Sequence, residues 1–284
     1  MDIVMDILKA LGLTGPFMAA AVLLASFIVA FLAYRRGSLT GPAALAACVL
    51  SLTLYLSGGL RMVFLLLVFF LSSTFLTHYR KRDKNQIEQD LHEKKGARDT
   101  FQVFANGGAA LAMSLLNAFY HQDVFLIASA AALAASNADT WASELGILSR
   151  EKPVYILSRR PVQAGLSGGV TRVGTTAALA GGLFIGLVFG AMRLFDHLSP
   201  RTLLLQVALI TLTGFVGSLI DSILGETLQA LYSTQAKASL TERRTEQGVA
   251  NQLKHGWRWM TNDWVNLISS TGASVLLLIF LFLL

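Results

Sequence analysis

The chain has 284 residues, of which 54% are hydrophobic and only 14% are charged. A soluble domain carries about a quarter charged residues, so this composition argues against a soluble protein. The net charge of +6 would suit a nucleic-acid-binding protein, but the positions of the basic residues favour another explanation. The single cysteine, Cys48, excludes an internal disulfide framework and a cysteine metal site.

The hydrophobic residues are arranged in blocks of a length that suits membrane-spanning helices. We predict an all-α, polytopic transmembrane helical bundle with about eight spans, at 17–34, 40–57, 60–77, 101–119, 123–138, 173–192, 203–224 and 264–284. The fifth block is short, and only the turn at 57–61 separates the second from the third, so seven or nine spans remain open. The first residues, DIVMDILKALG, form an amphipathic segment that is expected to lie at the membrane interface.

The basic residues alternate between the connections. Connections one, three, five and seven contain 19 of the 23 lysines and arginines. Because cytoplasmic loops of membrane proteins are the basic ones, these connections are predicted to face the cytoplasm and both termini to lie outside it. The positive charge is then explained by the topology and by contact of the basic connections with the bilayer. No nucleic-acid partner is expected. The predicted location is an integral, multi-pass membrane protein, in the cell membrane if the source is prokaryotic.

Polar residues gather where the helices meet the predicted cytoplasmic side. The motifs are QVFANGG, NADTWASELG, GSLIDSILGETLQ and GWRWMTNDWVN. Residues 139–144 and 221–226 share the pattern D-[ST]-x3-E, and each follows an apolar run rich in small residues. Internal repeats that build one shared site are common in membrane proteins, although a match of six residues can also arise by chance.

Carboxylates at membrane depth are costly, so they usually face a partner or a water-filled cavity. We predict that Asp139 and Asp221 bind Mg²⁺, which prefers one or two carboxylates together with substrate phosphates and water. Asp139 and Glu144 lie about 140° apart around an ideal helix, so they do not chelate one ion together. Glu144 and Glu226 are therefore expected to act as a base or to support the site. The alternative is that these carboxylates are helix ends reaching interfacial water.

A glycine-rich connection precedes the sixth block, with the sequence RRPVQAGLSGGVTRVGT. Glycines let backbone N–H groups converge on an anion, and a helix N-terminus favours negative charge. Arginines nearby suit phosphate. The predicted phosphate-binding and substrate-binding residues are Asn106, Arg159, Arg160, Gly165, Ser167, Gly168, Gly169, Arg172 and Asn262.

These five motifs, in this order, resemble the integral-membrane family called domain of unknown function 92, which includes animal transmembrane protein 19 and a plant phytyl-phosphate kinase. The resemblance covers roughly residues 98–275. It implies a catalytic membrane domain at 98–284, preceded by N-terminal helices and a charged cytoplasmic loop (78–100) within 1–97. One departure, at residues 163–167, leaves the nucleotide and acceptor preference open.

The resemblance implies a lipid-phosphate kinase, that is, a transferase. The predicted reaction is Mg²⁺-dependent phosphoryl transfer from CTP or another nucleoside triphosphate to an isoprenoid monophosphate, at the cytoplasmic face, giving the diphosphate. Two alternatives remain: a transporter or flippase for a lipid phosphate or ion, and a cytidylyltransferase-like lipid enzyme. The lipid chain length, the nucleotide and the oligomeric state, including a homo-oligomer, stay open.

Overall fold

The computed structural model describes residues 15–81, 83–84, 96–233, 240–246 and 248–283. The predicted amphipathic segment at the N-terminus and most of the 78–100 loop therefore lie outside the described residues. The described helices are α1 (Pro16–Arg35), α2 (Gly41–His78), α3 (Thr100–Tyr120), α4 (Asp123–Gly146), α5 (Arg172–Met192), α6 (Pro200–Thr227) and α7 (Asn262–Leu283).

Helix α2 contains 38 residues and is a hairpin of two arms. Gly59 has φ 76° and ψ −174°, which breaks the helix into a first arm (41–58) and a second arm (60–78). Phe70 packs against the small cluster that contains Ala43 and Leu39. In a straight helix, residues 43 and 70 would lie about 40 Å apart, so the chain must reverse direction at Gly59.

Contacts between helices give their relative directions. Ser57 bonds Ser114 at 2.8 Å, while Ser72 donates to Asn137 at 2.8 Å. Ser136 in turn donates to the carbonyl of Asn106 at 2.9 Å. The first arm therefore runs parallel to α3, and the second arm runs back alongside α4.

Eight helical segments thus traverse the bundle: α1, the two arms of α2, and α3 to α7. Six of the described helices are long and apolar enough to cross a membrane, and α4 is not among them. All residues of α4 from Ile127 to Ala138 are buried. Because α4 is surrounded by the other helices, it does not need a lipid-facing apolar surface. The prediction of a polytopic helical bundle is confirmed.

The connections divide the bundle into two ends. We call "cavity end" the end formed by residues 36–40, 147–171 and the described parts of 79–99 and 228–261. We call "far end" the end formed by 58–61, 121–122 and 193–199. The basic connections lie at the cavity end. The first described helix, α1, begins at the far end, and the last, α7, ends there. The membrane side that each end faces stays a prediction.

Short antiparallel strands fold the connections of the cavity end. They are β1 (Val154–Tyr155), β2 (Gly169–Val170), β3 (Leu231–Ser233), β4 (Leu240–Thr241), β5 (Thr245–Glu246), β6 (Val249–Ala250) and β7 (Gln252–His255). β1 pairs with β2, β5 pairs with β6, and the order β4-β3-β7 forms a three-stranded sheet. In the first pair, Val154 faces Val170 and Tyr155 faces Gly169. This pairing fixes the glycine-rich segment above the helix ends.

The main core joins helices from both sides of the predicted domain boundary at residues 97 and 98. Leu54 and Leu65 of the hairpin belong to the same buried cluster as Leu133 of α4 and Ile210 of α6. That boundary stays a prediction, and the helices on its two sides share one core.

Candidate functional site

A polar cavity of about 340 Å³ opens at the cavity end, between the ends of α3 to α7 and the glycine-rich segment. Nine of the predicted site residues line it. They are Asn106, Asp139, Glu144, Gly165, Ser167, Gly168, Gly169, Asp221 and Asn262. The four residues that do not line it are Arg159, Arg160, Arg172 and Glu226.

Small residues bring Asp139 and Asp221 together. A Cβ added to Gly214 would lie 2.7 Å from the Cβ of Ala134, and one added to Gly217 would lie 2.5 Å from the Cβ of Ala135. Helices α4 and α6 therefore pack backbone against backbone and run parallel, as small residues allow in membrane proteins. The two D-[ST]-x3-E motifs lie side by side, and their aspartates both face the cavity.

The two aspartates have few protein partners. Asp221 is 9% exposed and accepts a hydrogen bond from Ser269 at 3.1 Å. Asp139 lies within electrostatic range of Asp221. Among the described residues, no lysine or arginine forms a salt bridge with either of them. Two carboxylates therefore face each other beside open space, and no described side chain neutralises them.

This arrangement fits a hard divalent cation. One turn into α7, Asn266 also lines the cavity, and its buried Oδ1 atom has no hydrogen-bond partner among the described residues. In the part of the chain that the structure describes, no three His, Cys, Asp or Glu side chains surround a metal position. The protein thus offers two carboxylates and an amide oxygen, and Mg²⁺ commonly takes its remaining ligands from phosphates and water.

Glu144 lines the same cavity, but its carboxylate is bound by side chains at and just after the end of the hairpin. Its carboxylate accepts a hydrogen bond from Thr77 at 2.6 Å and pairs with the ammonium group of Lys84 at 2.5 Å. Lys84 is itself buried and also donates to the carbonyl of Leu76 at 2.6 Å. Glu144 therefore joins the end of α4 to the end of the hairpin, and its charge is already compensated.

Glu226 holds the glycine-rich connection from outside the cavity. Its two carboxylate oxygens accept the backbone N–H groups of Leu157 at 2.8 Å and Ser158 at 2.9 Å. Gly168 has φ +82°, and a Cβ there would lie 2.5 Å from the backbone nitrogen of Glu226. Gly168 is thus required for a backbone contact with the end of α6. The catalytic role of Glu226 stays a prediction that its position does not support.

The rest of the glycine-rich segment forms one wall of the cavity. Ser167 donates to the carboxylate of Glu242 and accepts from the side chain of Gln229 at 2.9 Å. The segment ends at Thr171, which caps α5 by accepting the N–H of Gly174 at 3.0 Å. Because the first turn of α5 borders the cavity, its helix N-terminus favours an anion there.

The arginine that lines the cavity is not one of the three predicted. The side chain of Arg172 is 89% exposed and lies 3.9 Å from Glu151, and Arg159 and Arg160 are exposed as well. Instead, Arg98 lines the cavity. Binding of phosphate by the three predicted arginines stays a prediction that this arrangement does not support.

Arg98 and Gln102 were not predicted as site residues, because in the sequence they indicate only the start of a helix. Asp99 accepts the N–H of Gln102 at 2.9 Å, and the Gln102 side chain accepts the N–H of Asp99 at 3.0 Å, which forms a capping box. The backbone of Arg98 pairs with Ser38 and Thr40 at 3.0 Å each. These bonds place Arg98, Gln102 and Asn106 on the cavity. Asn266 was detectable as the residue four positions after Asn262, on the same helix face.

The comparisons with known proteins agree with this architecture. The family described as Integral membrane protein DUF92 matches residues 24–274, so the match extends into the N-terminal helices beyond the predicted 98–275. The chain is 36% identical to Protein PGR of Arabidopsis thaliana, over 74% of this chain and 78% of that protein.

Two prokaryotic relatives are more distant. An uncharacterized membrane protein of Methanocaldococcus jannaschii is 29% identical, over 70% of this chain and 78% of its own length. One of Synechocystis is 24% identical, over 90% and 88%. No solved structure matches. Since the family match covers most of the chain, the protein belongs to the DUF92 family of integral membrane proteins.

Proposed function

We propose that this protein is a membrane lipid-phosphate kinase, which transfers the γ-phosphoryl group of a nucleoside triphosphate to an isoprenoid monophosphate. The observation that carries the proposal is the pair Asp139 and Asp221, which face each other in a cavity without a cationic partner among the described residues. Such a pair suits a divalent cation that is shared with phosphates. Arg98, on the same cavity, offers a guanidinium group to a phosphate.

Each part of the cavity has a role in this reaction. The oxygens of Asp139, Asp221 and Asn266 would hold Mg²⁺, which when bound neutralises charge on the transferred phosphoryl group. The glycine-rich wall and the first turn of α5 favour the remaining phosphate oxygens. Phosphoryl transfer depends mainly on positioning and charge neutralisation, and these groups are of the kinds that provide both.

The chemical step needs no strong base. An oxygen of the lipid monophosphate attacks the γ-phosphorus, and a P–O bond forms. The bond from the γ-phosphorus to the bridging oxygen breaks, and the nucleoside diphosphate leaves with that electron pair. The second pKa of a phosphate monoester is about 6, so the attacking oxygen is mostly deprotonated at neutral pH. This fits a Glu144 carboxylate that is occupied by Lys84 and Thr77.

The closed far end supports an enzyme over a transporter. There Arg61 and Arg193 form ion pairs with Asp196, and Arg193 also pairs with Asp123 at 2.5 Å. Between this network and the cavity, the core contains fully buried residues such as Leu133 and Ile210. A transporter needs a polar path from its centre to both sides, and among the described residues the core between α4 and α6 closes the direct path to the far end.

The test uses the purified full chain in detergent with Mg²⁺, each nucleoside triphosphate in turn, and phytyl or geranylgeranyl phosphate. We expect a nucleoside diphosphate and a prenyl diphosphate, and we expect Asp139→Asn and Asp221→Asn to slow the formation of both roughly 1000-fold. Asp83→Asn is the matched control, since Asp83 is exposed, pairs with Arg80 and lies outside the cavity.

Two results would overturn the proposal. Release of pyrophosphate would indicate a cytidylyltransferase. If no nucleotide is consumed, and Asp139→Asn abolishes movement of a lipid phosphate across liposomes, the protein is a transporter.

A further inference from the structure

A second cavity, of about 410 Å³, lies beside the polar one and is almost entirely apolar. Its walls come from α1, both arms of the hairpin and the first turns of α3. Apolar residues lining it include Val22, Leu50, Val63 and Phe70. The polar side chains Ser26 and Ser51 on its wall bond each other at 2.7 Å, so they do not present free polar groups to the cavity.

The two cavities meet at four shared residues. Phe69, Arg98, Gln102 and Asn106 line both of them. The apolar cavity then extends from this junction along the second arm to Leu60, near the far end. At 1.5 Å per residue, the distance from Phe69 to Leu60 is about 14 Å. The combined space is therefore an elongated apolar channel that runs from Leu60 to the junction. At the junction it becomes polar and cationic.

The channel also borders the membrane. Helix α1 is the least buried of the candidate spans in the described residues, since only 17% of its most apolar stretch is buried inside the protein. Ala25 of α1 and Phe64 of the second arm line the cavity and are both exposed. A hydrophobic chain that approaches from the bilayer would therefore meet the channel between these two segments.

Arg98 supplies the charge at the junction. Burial lowers the pKa of Arg98, and the charge of Glu144 acts in the opposite direction. Among the described residues, no carboxylate forms a salt bridge with its guanidinium group. An anion at the junction would compensate this partly buried positive charge.

We propose that the apolar cavity binds the hydrocarbon tail of a single-chain lipid phosphate, with the phosphate at Arg98, next to Asp139 and Asp221. The volume is in the range of pockets that enclose one ligand of small-molecule size, which suits one hydrocarbon chain better than the two chains of a phospholipid. The inference rests on the proposed function for the reaction of the phosphate, but the binding itself needs no nucleotide. It gives α1 and the hairpin a role in selecting the acceptor.

The head group is tested by equilibrium binding of geranylgeranyl phosphate and the neutral alcohol geranylgeraniol to the full chain in nanodiscs, without nucleotide. Arg98→Gln should weaken binding of the phosphate roughly tenfold and leave the alcohol unchanged, since only the phosphate uses the charge. Arg98→Lys should restore part of the affinity. Equal affinity of the native chain and Arg98→Gln for the phosphate would overturn the assignment of Arg98.

The tail is tested with a matched pair of substitutions on α1. Ala25 lines the cavity, whereas Ala21, one turn earlier, is exposed and does not. Ala25→Trp should weaken binding of geranylgeranyl phosphate more than that of geranyl phosphate, because the indole shortens the channel. Ala21→Trp should change neither. If both tryptophan variants bind the two lipids like the native chain, the tail does not lie in this cavity.

These binding results separate the inference from the proposed function. Binding that depends on Arg98 and Ala25, without any consumption of nucleotide, would leave the lipid site standing and remove the kinase. If instead the variants at Arg98 and Ala25 turn over like the native chain, the kinase would stand and the lipid site would be removed. Thermal unfolding of each variant identifies loss of fold as a separate cause.

Discussion

At the far end of the bundle, Arg61 and Arg193 pair with Asp196 and Asp123, whereas at the cavity end Asp139 and Asp221 face each other without such partners among the described residues. Both ends contain carboxylates in a protein whose centre is apolar. Paired charges of opposite sign join helices, while like charges beside a cavity weaken the fold unless a ligand compensates them. The comparison indicates that the ion pairs of the far end suit a role in stability, whereas the carboxylates of the cavity end suit the proposed binding of a cation.

The largest expected effect is on activity at the cavity end. Asp139→Asn or Asp221→Asn should reduce phosphoryl transfer roughly 1000-fold, because each removes a charge that positions the metal and the phosphates. The same substitution should raise the unfolding temperature, since it removes repulsion between the buried carboxylate of Asp221 and the partly buried carboxylate of Asp139. Activity assays and thermal unfolding in detergent check both results. A variant that loses activity and stability together would break the contrast between the two ends.

The converse substitution lies at the far end. Asp196→Asn should lower the free energy of unfolding by about 3 kcal/mol, because it removes the carboxylate that pairs with Arg61 and leaves the buried Arg193 with Asp123 as its remaining partner. Activity per folded molecule should be unchanged. Denaturant unfolding and initial rates at saturating substrate test this. Loss of turnover in the folded variant would show that the far end also contributes to the site.

The glycine-rich wall offers a prediction with an internal control. Gly168→Ala and Gly248→Ala both place alanine at φ +82°, but only at Gly168 would the new Cβ clash, lying 2.5 Å from the nitrogen of Glu226. Gly248→Ala should cost about 1 kcal/mol for the backbone conformation alone. Gly168→Ala should cost more and raise KM for the nucleotide. Equal costs would mean that the contact with the end of α6 does not position the wall.

The smallest expected effect is a dependence of stability on acid. Burial alone would raise the pKa of Asp196, but hydrogen bonds and charge from Arg61 and Arg193 outweigh it and hold the pKa below its ordinary value. A lowered pKa in the folded state gives stability that is complete above the unfolded value of about 3.9 and is lost as the pH falls through the folded value.

The measurement is the unfolding temperature between about pH 6 and pH 3. Asp196→Asn should remove part of the acid slope. Asp83→Asn, which removes an exposed partner of Arg80, should keep it, since exposed pairs contribute little. The same slope in all three proteins would show that the far-end pairs are not what acid disrupts.

Much of the architecture was predictable because hydrophobicity and charge act along the chain. The apolar blocks predicted the eight segments that cross the bundle. They also predicted a turn between the second and third blocks, where Gly59 interrupts an otherwise continuous helical range. The spacing of Asp139 and Glu144 predicted that they do not chelate one ion together, and Glu144 instead contacts Thr77 and Lys84. These predictions depend on residues that are close in sequence, where helix periodicity is a reliable guide.

The site was less predictable because it is built across the bundle. Arg159, Arg160 and Arg172 were selected because they flank the glycines in sequence, yet the structure leaves them exposed. Arg98 comes from a connection more than 60 residues earlier, and it reaches the cavity through its pairing with residues 38 to 40. Glu226 shares a motif with Glu144, but its surroundings direct it to the N–H groups of Leu157 and Ser158.

The single-residue reversal at Gly59 also decides on which face of the membrane every later helix ends. If the two arms of α2 inserted as one span, the helices from α3 onward would be inverted, and their carboxylates would open to the opposite compartment. The turn lies at the far end, beside Arg61, whose pairing with Asp196 joins it to the connection between α5 and α6. Membrane insertion of this protein therefore depends on a glycine that never contacts the site whose orientation it fixes.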